Sequence, residues 1–223
     1  MIFLIIYIKE NTYIRLQLKT KFTIMKQNLL IVALAIAAFT SISTHAQMRE
    51  SGDIELVPYI AYSSAFFNGD NADFYDYRTS VSFGVKGDYY FNDRWSIRSG
   101  VAFDAMGASF NNGPDVELNY ISVPVNANWH FGSTRKWNLN FGLTPSFLTS
   151  AEVQSVDIAE EVSSFSLGIS YGIGYKIEIS EAFSIMIDLQ GNLGISNIND
   201  IPGSDINQTN AFSYLGLGGV FRI

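Results

Sequence analysis

From residue 53 to the end of the chain, apolar and polar positions alternate with a period of two. The alternation is strictest over residues 165–179, FSLGISYGIGYKIEI, where every odd position is large and apolar and every even one is Ser, Gly, Lys or Glu. Successive side chains of a β-strand leave opposite faces of the sheet, and such a pattern cannot be laid along one face of a helix. Eight segments of this kind span residues 53–66, 78–91, 95–110, 118–131, 137–150, 164–179, 183–196 and 211–223. No helix is predicted between them.

Strands of globular proteins mostly run about 5 or 6 residues, whereas one crossing a bilayer at a tilt of roughly 45° needs about 9 to 11. These segments have the longer measure. The connections also alternate: residues 92–94, 132–136 and 180–182 are short, while 67–77, 111–117, 151–163 and 197–210 are longer. An even number of strands, tight turns at one end and long loops at the other predict an all-β, eight-stranded antiparallel up-and-down transmembrane β-barrel.

A soluble lipocalin-like carrier would use the same period with its apolar face turned inward. Its other face would then have to satisfy water. Here that face is Ser164, Ser166, Gly168, Ser170, Gly172 and Gly174 in one segment and Asn138, Asn140, Gly142, Thr144 and Ser146 in another. Small, weakly charged residues suit the inside of a narrow barrel, so the opposite face, Phe165 to Ile177 and Phe183 to Ile195, is assigned to lipid. Trp95, Trp129, Phe131, Trp137 and Phe183 beside the short turns fit an interfacial girdle.

Composition agrees: 48% of residues are apolar and only 16% charged, against roughly 25% charged in an ordinary soluble domain. There is no cysteine, which excludes a disulfide framework and thiolate metal sites. Residues 25–46, MKQNLLIVALAIAAFTSISTHA, read as a secretory signal peptide, with Lys26, an apolar run too short to span a bilayer, and cleavage after Ala46. Residues 1–24 read as an upstream extension from a mis-chosen start, leaving 47–223 as the barrel domain. An exported barrel belongs in the outer membrane of a Gram-negative bacterium. Its lipid and the barrel-assembly machinery are then its first partners. Removing five bases and one acid with residues 1–46 leaves 9 Lys+Arg and 20 Asp+Glu, a net charge of −11. Nucleic-acid binding is disfavoured by that charge.

By parity, Glu55, Lys86, Asp88, Arg98, Asp104, Lys176, Glu178, Asp188 and Arg222 project inward. Buried charges require partners, so an ion-paired plug is expected rather than an ion or proton path. The long loops carry only acids: Asp70, Asp73, Asp76, Asp115, Glu117, Glu152, Asp157, Glu160, Glu161, Asp200 and Asp205. Asp70, Asp73 and Asp76, and Asp157, Glu160 and Glu161, are the candidate ligands for a hard cation such as Ca²⁺, weighed against a simply solvated loop surface. Beyond the leader the one histidine is His130, placed by the turn at Gly132 at the barrel floor, and a Ser-His-carboxylate site is not expected there. No cofactor motif is present, and an enzyme is not predicted.

LNYISVPVNANWHF (118–131), WNLNFGLTPSFLTSA (137–151) and LGISYGIGYKI (167–177) resemble strands of the PorT-like, or porin-family, outer-membrane β-barrel domain, and the resemblance covers most of residues 50–223. It implies a barrel type, with protein secretion the role of some relatives, and a last strand, GGVFRI, of the kind read by assembly machinery. The function expected is a non-enzymatic outer-membrane barrel with a filled polar lumen and acidic outer loops, serving a structural or binding role toward an envelope or extracellular protein. Small-solute transport or a secretion-accessory role is the alternative.

Overall fold

The computed structural model describes residues 48–111 and 113–223; the expected signal peptide (25–46) and upstream extension (1–24) lie outside the described residues. Eight long strands follow one another: β1 (Ile54–Gly69), β2 (Arg78–Tyr90), β3 (Trp95–Phe110), β4 in two parts (Asp115–Ser122 and Val125–Phe131), β5 (Trp137–Val153), β6 (Phe165–Glu178), β7 (Phe183–Gly194) and β8 (Gln208–Arg222). Each pairs antiparallel with the next, and β8 returns to β1, from Glu55 opposite Arg222 to Gly69 opposite Gln208. The ring is closed, and a closed ring has no strand edge left to pair. The outer loops add only two-residue strands, Tyr75–Asp76 and Val156–Asp157, and single 3₁₀ turns, Ala72–Phe74 and Ala159–Glu161.

Two local chemistries interrupt the ladder. Proline has no N–H to give, and β4 breaks at Val123–Pro124; the Val123 N–H still bonds the Pro145 carbonyl of β5 at 2.9 Å, which keeps the wall joined. In β5 the register slips so that Tyr120 faces Leu148 and Asn119 faces Ser150, leaving Thr149 as an extra residue. A bulge of this kind inverts the inside–outside parity beyond it. Ala151 therefore points inward and is fully buried. Strand pairing also extends further toward the loop end than alternation alone predicts. Asp115, Glu117 and Glu152, expected in loops, lie in β4 and β5, because residues 115–117 pair with 107–109 and Glu152 pairs with Glu117.

The two faces of the wall differ sharply. In β5, Trp137, Leu139, Phe141, Leu143 and Phe147 are exposed on the outside while Asn138, Asn140, Thr144 and Ser146 are buried within. The outward apolar run from 137 to 147 matches the roughly 9 to 11 residues a tilted strand needs to cross hydrocarbon. At the turn end, rings follow one another around the wall: Trp95 to Trp129 (6.4 Å between centroids), Trp129 to Phe131 (5.1 Å), Phe131 to Trp137 (6.2 Å) and Trp137 to Tyr175 (4.6 Å).

Inside, three levels are stacked. Ionised side chains fill the turn end. A belt of hydroxyls and amides follows, with Ser122 to Ser146 at 2.9 Å, Asn126 to Asn140 at 2.9 Å and Ser170 to Asn126 at 2.7 Å. The loop end is apolar: Ala61, Ala65, Phe67, Met106, Leu118 and Phe212 pack together with Ile198 from the last long loop. This corrects the expectation of a polar lumen throughout. The inward positions of β1 above the belt are Ala61, Ser63, Ala65 and Phe67, so inward parity there carries mostly apolar residues.

The glycines of β6 leave room for neighbours. A Cβ at Gly168 would collide with the Asn192 amide of β7, and one at Gly172 with that of Gln190. Leu217, outward on β8 between Ile60 and Ile187, tests the assignment of the outer face. Leu217→Arg should lower the unfolding free energy in lipid vesicles by about 2–4 kcal/mol, the cost of an arginine near the bilayer midplane, read from urea titration. A change below about 0.5 kcal/mol, the usual range for an ordinary surface site, would contradict that assignment.

Candidate functional site

The ionised side chains of the lumen form two connected groups. At the floor, the Glu55 carboxylate accepts from Lys176 Nζ (2.6 Å), Tyr90 Oη (2.8 Å) and Arg49 Nε (2.6 Å), and Lys176 also donates to Tyr90 Oη (2.6 Å). Above it, Arg98 grips Asp88 through Nε (3.0 Å) and Nη2 (2.8 Å), while Asn128 donates to the same carboxylate (3.1 Å). Arg98 Nη1 lies 3.7 Å from Asp188, which is paired with Lys86 Nζ at 2.5 Å and accepts from Gln190 Nε2 at 2.6 Å. Lys86 sits over the Tyr59 ring, 4.2 Å from its centroid. Several of these contacts join strands that are not neighbours: Glu55 of β1 reaches Lys176 of β6, and Lys86 of β2 reaches Asp188 of β7. They tie opposite walls of the barrel together.

A family model described as the outer membrane protein beta-barrel domain matches residues 45–200. The chain belongs to this family. It is an outer-membrane β-barrel protein of a Gram-negative bacterium, its short turns on the periplasmic side and its long loops outside. The match ends before β8, the strand that closes the ring against β1. Among solved structures it is similar to OprG of Pseudomonas aeruginosa (14% identity over 78% of this chain and 97% of that one, TM-score 0.45). It is also similar to neisserial surface protein A (16%, 76% and 97%, TM-score 0.47) and to Ail of Yersinia pestis (16%, 78% and 100%, TM-score 0.43). No protein of curated function matches.

Of the nine inward charges, the barrel buries Glu55, Lys86, Asp88, Arg98, Asp104, Lys176 and Asp188 in the lumen. Glu178 and Arg222 end their strands and reach the periplasmic rim, where Glu178 pairs with Lys136 (3.3 Å) and Arg222 with Asp53 (2.7 Å). The Glu50 N–H, followed by Arg222, holds the Asp53 carboxyl below its ordinary range. Its contribution to the rim is present above that range and is lost as pH falls through the lowered value.

The outer acids have separate local duties. Asp70 accepts from the Asn207 N–H (2.9 Å) and Asp157 from the Ala159 N–H (2.8 Å). Arg78 draws in Glu117 (2.9 Å) and Asp115 (3.5 Å). Asp73, Asp76, Glu160 and Glu161 are exposed. Among the described residues no three acidic, His or Cys side chains come together as a metal site, so neither Asp70, Asp73 and Asp76 nor Asp157, Glu160 and Glu161 are assembled into one.

Several network members were not singled out by parity and charge: Tyr90, Arg49 and the amides Asn126, Asn128 and Gln190. The signal for Asn126 and Asn128 was the inward parity of polar residues in VNANWH, and Tyr90 and Gln190 share the inward parity of Asp88 and Asp188 beside them; Arg49 precedes the first alternating segment. His130 is buried with Nε2 2.9 Å from Ser96 Oγ, but its Nδ1 has no partner and Asp88 does not orient it. Ser96, His130 and Asp88 are each at most 1% exposed, and that geometry gives no reachable nucleophile.

Removing one partner from a buried ion pair strands the other's charge. Arg98→Met in the outer-membrane barrel should cost about 3–5 kcal/mol of unfolding free energy in micelles. Adding Asp88→Asn should recover part of it, since the double variant leaves one fewer unpaired carboxylate. Additive losses in the double variant would contradict the coupling.

Proposed function

We propose that this outer-membrane barrel is a plugged, non-enzymatic envelope protein of the PorT-like type, whose rigid wall carries its acidic outer loops in a structural or binding role. The observation that carries this reading is the filled lumen. Ion pairs cross its periplasmic half, an apolar stack closes its outer half, and the polar belt between them leaves a cavity of about 40 Å³. Porins of about 16 to 18 strands leave an aqueous channel, whereas about eight strands leave an interior that side chains fill, with space for at most one small ligand. The likeness of three of its strands to the PorT-like family supports the narrower family placement.

The partners follow from the surfaces. Acyl chains meet the outer wall, assembly machinery meets the terminal strand during insertion, and an envelope or extracellular protein with a basic face would complement exposed acids such as Asp73, Asp76, Glu160 and Glu161. The mature protein reconstituted in a planar bilayer should give no steady current above the lipid baseline. Sustained ohmic steps at constant voltage would replace this reading with small-solute transport.

A further inference from the structure

Of the four carboxylates buried in the lumen, Glu55, Asp88 and Asp188 each touch a cation. Asp104 touches none. It is 3% exposed, its Oδ1 has no hydrogen-bond partner, and it borders the cavity of about 40 Å³ in the polar belt. Ser122, Asn126, Thr144, Ser170 and Gln190 line the same cavity. The Ser82 and Ser122 hydroxyls stand beside it, and the base whose charge reaches it, Lys86, is paired with Asp188 instead, so this buried carboxylate borders space with no cation in contact, a costly arrangement.

Two of the polar groups around that space, Gln190 and Ser170, are turned to accept. Gln190 gives its amide N–H to Asp188, which leaves its carbonyl Oε1 as an acceptor. Ser170 gives its hydroxyl proton to Asn126 Oδ1, a direction fixed because the Asn126 amide N–H is already donated to Asn140. The Ser170 oxygen therefore retains its lone pairs. A carboxylate, a carbonyl and hydroxyl oxygens around one small space are the ligand chemistry of a hard cation.

The charge count sets its valence. In the level above the floor, Lys86 and Arg98 face Asp88, Asp104 and Asp188; with all three carboxyls ionised that is one negative charge in excess, and Lys86 is committed to Asp188. One positive charge restores neutrality; two would repel Lys86. A cavity of about 40 Å³ holds roughly three water-sized spheres, at about 10–15 Å³ for each. That is room for an ion with a water or two. We propose that the lumen of this protein binds one hard monovalent cation of the Na⁺ class, held by Asp104 in the polar belt and enclosed between the ion-paired floor and the apolar outer stack.

Because the site lies inside a filled barrel, the ion is introduced during folding. Full mature protein is refolded from urea into detergent in thallium(I) nitrate and crystallised, and the anomalous signal of Tl⁺ is located. The expected result is a peak in the cavity beside Asp104 that is lost in Asp104→Asn. In parallel, the wild-type urea midpoint should be higher in NaCl than in choline chloride of equal ionic strength, and the difference should vanish in the variant. A wild-type cavity without a peak, or identical midpoints in the two salts, overturns the proposal, as does an Asp104→Asn protein that keeps both signals. Should the variant not fold, the two wild-type measurements decide alone.

Discussion

Inside hydrocarbon every backbone N–H and C=O must find its partner within the protein, and for strands only a closed ring achieves this. The pairing of β8 with β1 is therefore the constraint on which the rest of the molecule depends. Once the ring is closed, each strand has one face in lipid and one in a lumen too narrow for bulk water. Alternation of the sequence is the direct expression of that division. Trp137 to Phe147 of β5 shows it at single-residue resolution, with outward rings and leucines and inward amides and hydroxyls.

The lumen then has to be filled, and the protein does so by two unlike means. Toward the periplasm it buries charge, and the cost of desolvating those groups is offset only because almost every one is held by several partners: Glu55 by three donors, Asp88 by a bidentate guanidinium and an amide. Such pairs contribute less to net stability than apolar packing of equal volume would. What they add is a fixed distance between strands on opposite sides of the ring. Toward the outside the same volume is filled by Met106, Leu118, Phe212 and their neighbours, which need no partners. Both halves block the axis, and this blockage joins the fold to the functional reading.

Strand positions, the closed antiparallel order and the inward charges were legible because they depend on a period of two and on loop length alone. The Thr149 bulge was not, since a slip of register leaves no mark in local composition; residues 148–151 read equally well on either parity. The apolar outer half was hidden for a related reason. In IAYSSAFF both parities carry apolar and small residues, so period does not say which set packs inward. Pairing partners such as Lys86 and Asp188, or Glu55 and Lys176, are more than a hundred positions apart and meet only when the ring closes. Glu178 and Arg222 have inward parity yet serve the rim, because a strand's last residue lies where the lumen opens.

β7 offers the sharpest test of which face meets lipid, because Met186 is fully buried between Ile185 and Ile187, and Ile187 and Leu189 are exposed on the outer wall. In methyl-labelled protein in deuterated-headgroup lipid bilayers, intermolecular NOEs to acyl-chain methylenes should appear from Ile187 and Leu189. The Met186 methyl should show only NOEs within the protein. Acyl-chain contacts from Met186, with Ile187 and Leu189 facing protein or water instead, would contradict the account.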